Sequence, residues 1–275
     1  MMNLLRKYIA AVPKLKFSRI LSQISSLGAL YRCSVCGNRV KRFGPLPQFY
    51  SENLQKHGWR FSFGEIETLN CQYYLCPLCG SSDRDRLYAL YIRDYLKGVK
   101  GDKAVKIVDF APSLPLSLFI KRLIERSEPE VIYLTADLCA EGVDDKIDIT
   151  DMKLYGDNHF DFFICSHVLE HVEDDRKALH ELHRILKAGG HGILMVPILL
   201  STEEIEEDPA VVDVAERWRR FGQFDHVRLY SKSGFIQRVT ESGFLVKQYG
   251  KEFFGEALFA RTGISSQSIL YVVQK

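Results

Sequence analysis

The sequence predicts a doubly wound α/β domain with a mostly parallel sheet, preceded by a small metal-stapled module. Three observations carry this expectation. From residue 105 onward, fully apolar strand-like runs alternate with helical patterns, as strands buried on both faces and their crossover helices require. Upstream stand two CxxC pairs, each followed at once by glycine, in "CSVCGNRV" and "CPLCGSSDR". The chain has 275 residues, 46% hydrophobic and 26% charged, which suits a soluble globular protein with one large domain or a domain plus a small module. A net charge of +2 is too near neutral to argue for nucleic acid as the main partner. No apolar run is long enough to span a bilayer.

Residues 1–30 differ in character. The stretch contains Arg6, Lys7, Lys14, Lys16 and Arg19 with no acidic residue, and Leu4, Leu5, Ile9, then Ile20, Leu21, Ile24, Leu27 recur at helical spacing. It lacks the apolar core and small-residue cleavage site of a signal peptide. Two readings stand: a helix packed on the body, or a basic amphipathic helix on an anionic membrane surface. With cysteines arranged for metal rather than disulfides, the expected location is the cytoplasm, with peripheral membrane contact through this segment.

Residues 31–98 form the expected zinc ribbon and connecting helix. The two-residue gaps let Cys33 and Cys36, and Cys76 and Cys79, meet one tetrahedral ion, while Gly37 and Gly80 allow the backbone to turn behind the second sulfur. Four sulfurs close the shell, so the Zn2+ is expected to be structural. Cys71, five residues before Cys76, fits a knuckle poorly. The aromatic, mixed-charge stretch between the pairs is long enough for a hairpin and a loop. Its interleaved basic and aromatic residues suggest nucleic acid, but Glu52, Glu65 and Glu67 count against that. "SSDRDRLYALYIRDYLKG" reads as a helix capped by Ser82 or Asp83 and ended by Gly98. Arg84 and Arg86 sit in its first turn, where the dipole favours acids. They read as surface charge, or as residues reaching a partner or substrate.

Over residues 104–275 the expected strands are Val105–Phe110, Val131–Thr135, Phe160–Ser166 and Gly192–Pro197, with helices at Leu114–Arg126 and Asp174–Lys187. A capped helix in "YSKSGFIQRVTESGF" stops at Gly243, and "FLVKQYG" and "SILYVVQK" form an antiparallel hairpin at the sheet edge. Ligands of such sheets bind at the carboxyl ends of the strands.

The segment "FDFFICSHVLEHVEDDRKALHELHRILKAGGHGILMVP" resembles the class I S-adenosylmethionine-dependent methyltransferases of the group called type 11, which carry a strand, "VLEHV" and an "EL.R.LK.GG" run. "FGQFDHVRLY" followed by Gly243 and Phe244 is similar to a later part of that group, and the upstream CxxC pairs to members with an N-terminal zinc ribbon. The resemblance covers about residues 105 to 250. It implies a seven-stranded Rossmann-like sheet, S-adenosyl-L-methionine as cofactor, and methyl transfer to an unidentified acceptor.

It also implies residue roles. Asp137, closing its strand beside Leu138, accepts the ribose hydroxyls, since one carboxylate can chelate a cis-diol. Asp148 accepts from the adenine amino group and Ile149 flanks the ring. Asp109 lies near the methionine amino group, and Ser166 and His167 under the sulfonium. In the first loop, Ala111, Pro112 and Ser113 stand where glycines are usual; the small residues permit close approach and the proline restricts φ. Methyl transfer needs a base only if the acceptor must lose a proton; His167 or His226 is the candidate.

The segment after the fifth strand, with its acid cluster and Trp-Arg-Arg run, is the candidate substrate cover. Within it Asp225, His226, Arg228 and Tyr230 are expected to face the acceptor. The basic N-terminus favours a saccharide or lipid-linked acceptor. The alternative is a catalytically inactive binding module that recognises a partner through its zinc ribbon. "HVLEH" also matches H-x-x-E-H, in which two histidines bind zinc and the glutamate is a base, but no third ligand is visible. A dehydrogenase is disfavoured, because no GxGxxG follows the first strand.

Overall fold

The computed structural model describes residues 30–125 and 127–275. The basic helix expected over residues 1–30 lies outside them, apart from Leu30.

The ribbon opens with β1 (Tyr31–Arg32) and β2 (Arg39–Val40), an antiparallel pair closed around the first CxxC. Between the knuckles the chain forms α1 (Gln48–Lys56) and a 3-10 turn at Phe63–Glu65, where a hairpin and loop were expected. The reason is tertiary: this stretch lies against the main domain, where Ile66 bridges to Leu199, so its aromatic residues find partners outside their own ribbon. Helix α2 (Asp83–Gly98) starts in a capping box in which Ser82 and Asp85 bond each other's backbone N–H groups.

The main domain follows as β3 (Val105–Phe110), α3 (Leu114–Ile124), β4 (Val131–Asp137), β5 (Asp145–Lys146), β6 (Phe160–Ser166), α4 (Asp175–Ile185) and β7 (Leu186–Met195). Then come β8 (Ile198–Leu199), β9 (Glu206–Glu207), α5 (Val214–Phe221), β10 (Arg228–Ser231), α6 (Lys232–Glu241), β11 (Leu245–Tyr249), α7 (Lys251–Phe254), α8 (Glu256–Thr262) and β12 (Leu270–Gln274). Seven strands form one sheet in the order β11-β12-β7-β6-β3-β4-β5. All neighbours are parallel except β12, which runs antiparallel to both β7 and β11. The expected hairpin therefore exists, with β11 at the edge.

Local chemistry explains the pattern. Central β3 and β6 are almost continuously buried, as strands covered on both faces must be. Edge strand β11 is mostly exposed, and β5 is only two residues long, which limits edge-to-edge pairing. Helix α4 ends at Ile185 rather than Lys187, because buried Leu186 already pairs with Phe160 as the first residue of β7.

The ribbon is part of the body. Val35, Val40 and Phe43 belong to the same continuous core as Ile107, Phe163 and Val272. Arg86, fully buried, donates to the carbonyls of Tyr73, Tyr74, Ser81, Thr262 and Gly263 and lies over the Phe43 ring. It joins the second CxxC segment and Phe43 to the end of α8, so the surface-charge reading of Arg86 is corrected. Glu67, also buried, accepts from Lys232 and from the Tyr271 hydroxyl, each at 2.7 Å.

After β7, the small sheet β8-β10-β9 and α5 cover the end of the main sheet. They meet the segment between the knuckles: Trp218 of α5 packs edge-on against Phe49 of α1, and Arg60 pairs with Glu206 at 2.9 Å.

Candidate active site

The sheet order reverses between β3 and β6, and ligands of doubly wound sheets bind at the carboxyl side of such a switch point. Register aligns the strand ends there: Phe110 sits beside Ala136 and Cys165, and Ser166 beside Met195. The side chains just beyond these positions form one edge.

At the end of β3, Ala111 adopts φ +51°, a left-handed conformation that glycine takes freely and alanine does not. Its N–H donates to Ala136 O at 2.8 Å, and this bond holds the turn in place. Ser113 caps α3 by accepting from Leu116 N–H, and its hydroxyl donates to Asp85 at 2.7 Å. At the end of β4, one Asp137 oxygen accepts from the N–H groups of Cys139 and Ala140. Leu138 beside it is 62% exposed. One Asp148 oxygen likewise accepts from the backbone and hydroxyl of Thr150, while Ile149 is buried. Both carboxylates keep a second oxygen free of these turns, which suits the diol and amine expected there. The strained exposed loop, the two strand-end carboxylates and the exposed Leu138 fit S-adenosyl-L-methionine.

Asp109 does not face that edge. It is buried, and its carboxylate accepts a 2.6 Å hydrogen bond from the Tyr133 hydroxyl. Burial pushes it up to about 7, with the Tyr133 bond pulling the other way. The expectation that it meets the methionine amino group is corrected, because its neighbours are Tyr133 and the interior of the sheet.

Helix α2 delivers three side chains to the strand ends. Asp85 meets Ser113, Tyr88 shares a 2.8 Å hydrogen bond with Ser166, and Arg84 donates to His167 Nε2 at 2.5 Å. Arg84 also donates to the Tyr74 hydroxyl at 2.9 Å. His167 has φ +58°, and its Nδ1 lies 3.1 Å from Glu170 Oε1. Both ring nitrogens are thereby engaged, Nδ1–H toward the carboxylate and Nε2 accepting from Arg84. Burial and then the Arg84 charge hold it at about 4, so it is neutral at physiological pH.

A cavity of about 220 Å³ opens beside His167. Its walls come from both sides of the molecule: Tyr50, Trp59 and Tyr74 from the segment around the ribbon, and Glu170, Phe221 and His226 from the main domain. Gly222, with φ +79°, lets the Trp59 ring approach so closely that an added Cβ would sit 3.1 Å from it. Two buried polar atoms at this cavity, Trp59 Nε1 and Glu170 Oε2, have no hydrogen-bond partner among the described residues. His226 is buried and directs Nδ1 at Phe221 O, 3.1 Å away. Burial and neighbouring His171 lower it to about 4.

The four ribbon cysteines converge. Cys33 Sγ lies 3.8 Å from Cys79 Sγ, and Cys36 Sγ lies 4.0 Å from Cys76 Sγ. A tetrahedron of sulfurs about 2.3 Å from zinc has edges of about 3.8 Å, so the set fits a closed structural site. Cys71 is not in the cluster.

A family model described as a methyltransferase domain matches residues 125–194. The match takes in β4, β5, β6 and most of β7 of the seven-stranded sheet. Over that stretch the chain is similar to a methyltransferase domain. Among solved structures, it is similar to the CurJ carbon methyltransferase at 14% identity and TM-score 0.45, over 69% of this chain and 53% of that one. The citrinin polyketide synthase CMeT domain is similar at 15% identity and TM-score 0.47, over 73% and 54%. A methyltransferase from Mesorhizobium loti is similar at 13% identity and TM-score 0.42, over 67% and 96%. The chain thus spans about half the length of the first two. No curated protein sequence matches it.

The structure brings His167 and His226 to one cavity. Two acceptor expectations are corrected. Arg228, 1% exposed, donates to the carbonyls of Leu169, Val172 and Glu173 and pairs with Glu207 at 3.0 Å. Tyr230 is also buried and donates to Asp175 at 2.5 Å, and Asp175 in turn pairs with Arg238. Both belong to an internal ionic network because β10 turns these side chains into the protein; neighbouring Leu229 lines the cavity instead. Asp225 lies outside the cavity wall and faces His171 at 3.5 Å.

Sequence reasoning missed Tyr50 and Trp59, because nothing in a local pattern says that a segment between zinc knuckles will wall a cavity over a distant strand end. Glu170 and His171 were visible in "HVLEH", but in different roles. Leu169–His171 forms a 3-10 turn, and both His167 nitrogens are engaged, so the peptidase arrangement is not built.

Proposed function

We propose that this protein transfers a methyl group from S-adenosyl-L-methionine to a small acceptor held in the cavity beside His167. The observation that carries the reading is the pair of unpartnered buried atoms, Trp59 Nε1 and Glu170 Oε2, at a cavity bordering the strand end expected to lie under the sulfonium. An unmatched donor and an unmatched acceptor in a buried wall are costly unless a ligand meets them. Bound cofactor supplies an electrophilic methyl group. The chain's contribution is to orient the acceptor against it and exclude water.

The volume of about 220 Å³ is below that of ordinary drug-sized sites, so the acceptor group is compact. Aromatic walls with a few polar atoms suit a sugar ring, and a lipid-linked saccharide would enter with its terminal unit only. Asp137 would hold the ribose, Asp148 and Ile149 the adenine, and the Ala111–Ser113 turn would lie along the methionine. His167, with both nitrogens engaged, orients; His226 Nε2 is the ring nitrogen left to act on the acceptor. The ribbon's zinc holds α2, and with it Arg84 and Tyr88, against the strand ends.

The alternative of an inactive binding module gains little support: the ribbon packs on its own domain through Arg86 and Phe43. Calorimetry with S-adenosylmethionine and S-adenosylhomocysteine tests the reading. Micromolar binding is expected, and no binding at millimolar ligand overturns it. A screen of small saccharides with labelled methyl donor then identifies the acceptor.

A further inference from the structure

The geometry points to a second metal site, formed by Glu170, His171 and His226 at the wall of the acceptor cavity, that takes a zinc-class divalent ion with one position open. One ligand atom from each residue lies within 4.8 Å of the others, so a small contraction brings the three onto one ion. All three line the cavity. Two nitrogens and one carboxylate oxygen are the donor set of open zinc sites, whose remaining position takes water or an oxygen of the substrate.

The surroundings of the two histidines argue for ligation beyond proximity. Metal-bound imidazoles donate their other N–H to a carbonyl or carboxylate, which fixes the tautomer and aims the lone pair. His226 does this with Phe221 O, 3.1 Å from Nδ1, and Nε2 is left without a protein partner among the described residues. His171 has Asp225 Oδ2 within 3.5 Å of Nδ1 as an ion-pair neighbour, and its Nε2 lies 4.0 Å from Glu170 Oε1. The two rings meet edge to face at 4.7 Å, so neither blocks the other's free nitrogen. A third, independent sign is Glu170 itself. Its side chain is 1% exposed, His167 takes Oε1, and Oε2 has no partner. An unbonded carboxylate oxygen so deeply buried is expensive, and a cation removes the cost.

Four protein sulfurs make the ribbon site closed, whereas this one faces a cavity. The acceptor class that fits an open zinc-type ion there is an oxygen donor, a hydroxyl or carboxylate. The metal site stands without the methyltransferase reading; only its part in holding the acceptor rests on it. With the ion bound, the His226 lone pair goes to the metal rather than to an acceptor proton.

The test is metal content and cobalt absorption of the full-length protein, with neither cofactor nor acceptor present. Zinc-saturated protein is expected to hold two equivalents, one of them lost to a mild chelator while the ribbon's stays. Adding Co2+ to the chelator-treated protein is expected to give visible d–d bands without intense sulfur charge transfer. His226→Ala and Glu170→Gln should each drop the content from two equivalents to one. Because those side chains are buried, the partly exposed His171→Ala is the control for folding and should do the same. A wild-type content of one equivalent, or cobalt bands carrying only sulfur charge transfer, overturns the site. Two labile equivalents unchanged in all three variants also overturn it. If metal binds but S-adenosylmethionine does not, the site survives and the methyltransferase reading fails.

Discussion

Arg84, on the helix that follows the second CxxC pair, donates through Nη1 to His167 Nε2 at 2.5 Å, at the end of the strand expected to lie under the cofactor's sulfonium. With Asp85–Ser113 and Tyr88–Ser166, this bond joins the helix after the ribbon to the strand ends. Burial, and after it the Arg84 charge, holds His167 at about 4, so its Nε2 accepts this bond as a neutral imidazole. Arg84 is held in turn by Tyr74, which lies just before Cys76.

Arg84→Ala leaves His167 Nε2 and the Tyr74 hydroxyl without this partner. A loss of about 1–3 kcal/mol in unfolding free energy is expected, read from urea denaturation. Arg84→Lys, a point charge in place of a fork, should recover only part of it. Unchanged stability in both variants would mean the bond is incidental.

Removing an ion held by the four ribbon cysteines should act at a distance. Cys76→Ser or strong chelation frees the N-terminal turn of α2, and with it Asp85 and Tyr88, from the strand ends. The expected outcome is a much lower melting temperature together with at least tenfold weaker S-adenosylhomocysteine binding by calorimetry. Full affinity in metal-free, still folded protein would refute the coupling.

Ala111 holds φ +51° without being glycine. Left-handed backbone costs an ordinary residue about 1–2 kcal/mol, and glycine regains most of that despite its greater freedom when unfolded. Ala111→Gly should therefore raise the denaturation midpoint, while the branched Ala111→Val should lower it steeply. A destabilised glycine variant would contradict this account of the loop.

Asp109, held at about 7 by burial against the opposing Tyr133 bond, binds its proton in the native state over a range where the unfolded chain has released it. Because the native state then carries more protons, stability is lost as pH rises from about 4 toward 7, and the full penalty persists above that. Asp109→Asn removes this dependence. Urea midpoints for both proteins should diverge in favour of asparagine across that window and then run parallel.

Trp59 belongs to the cavity wall and not to the cofactor edge. Trp59→Ala is expected to raise the KM for the acceptor severalfold while leaving S-adenosylhomocysteine affinity within twofold. Equal effects on both ligands would place the acceptor elsewhere.

The sequence alone determined the sheet, the four sulfurs and the strand-end edge, for physical reasons that are local. Runs such as Phe160–Ser166 and Val105–Phe110 are apolar at most positions on both faces, which suits a doubly covered strand. CxxC spacing confines two thiolates to one ion whatever surrounds them. Asp137 closes the mostly apolar run Val131–Asp137, and strand ends are where such acids emerge. What only the tertiary structure decided is which way side chains point once strands twist and distant segments meet. Arg228 and Tyr230 sit in the right stretch but turn inward to Asp175 and Glu207, because β10 is clamped between β8 and β9. Arg86 donates to the carbonyls of Thr262 and Gly263, which no local pattern brings near it. The cavity exists only because residues 50 and 59 fold over residues 170 and 226, a contact across more than a hundred positions that is specified by packing and not by spacing.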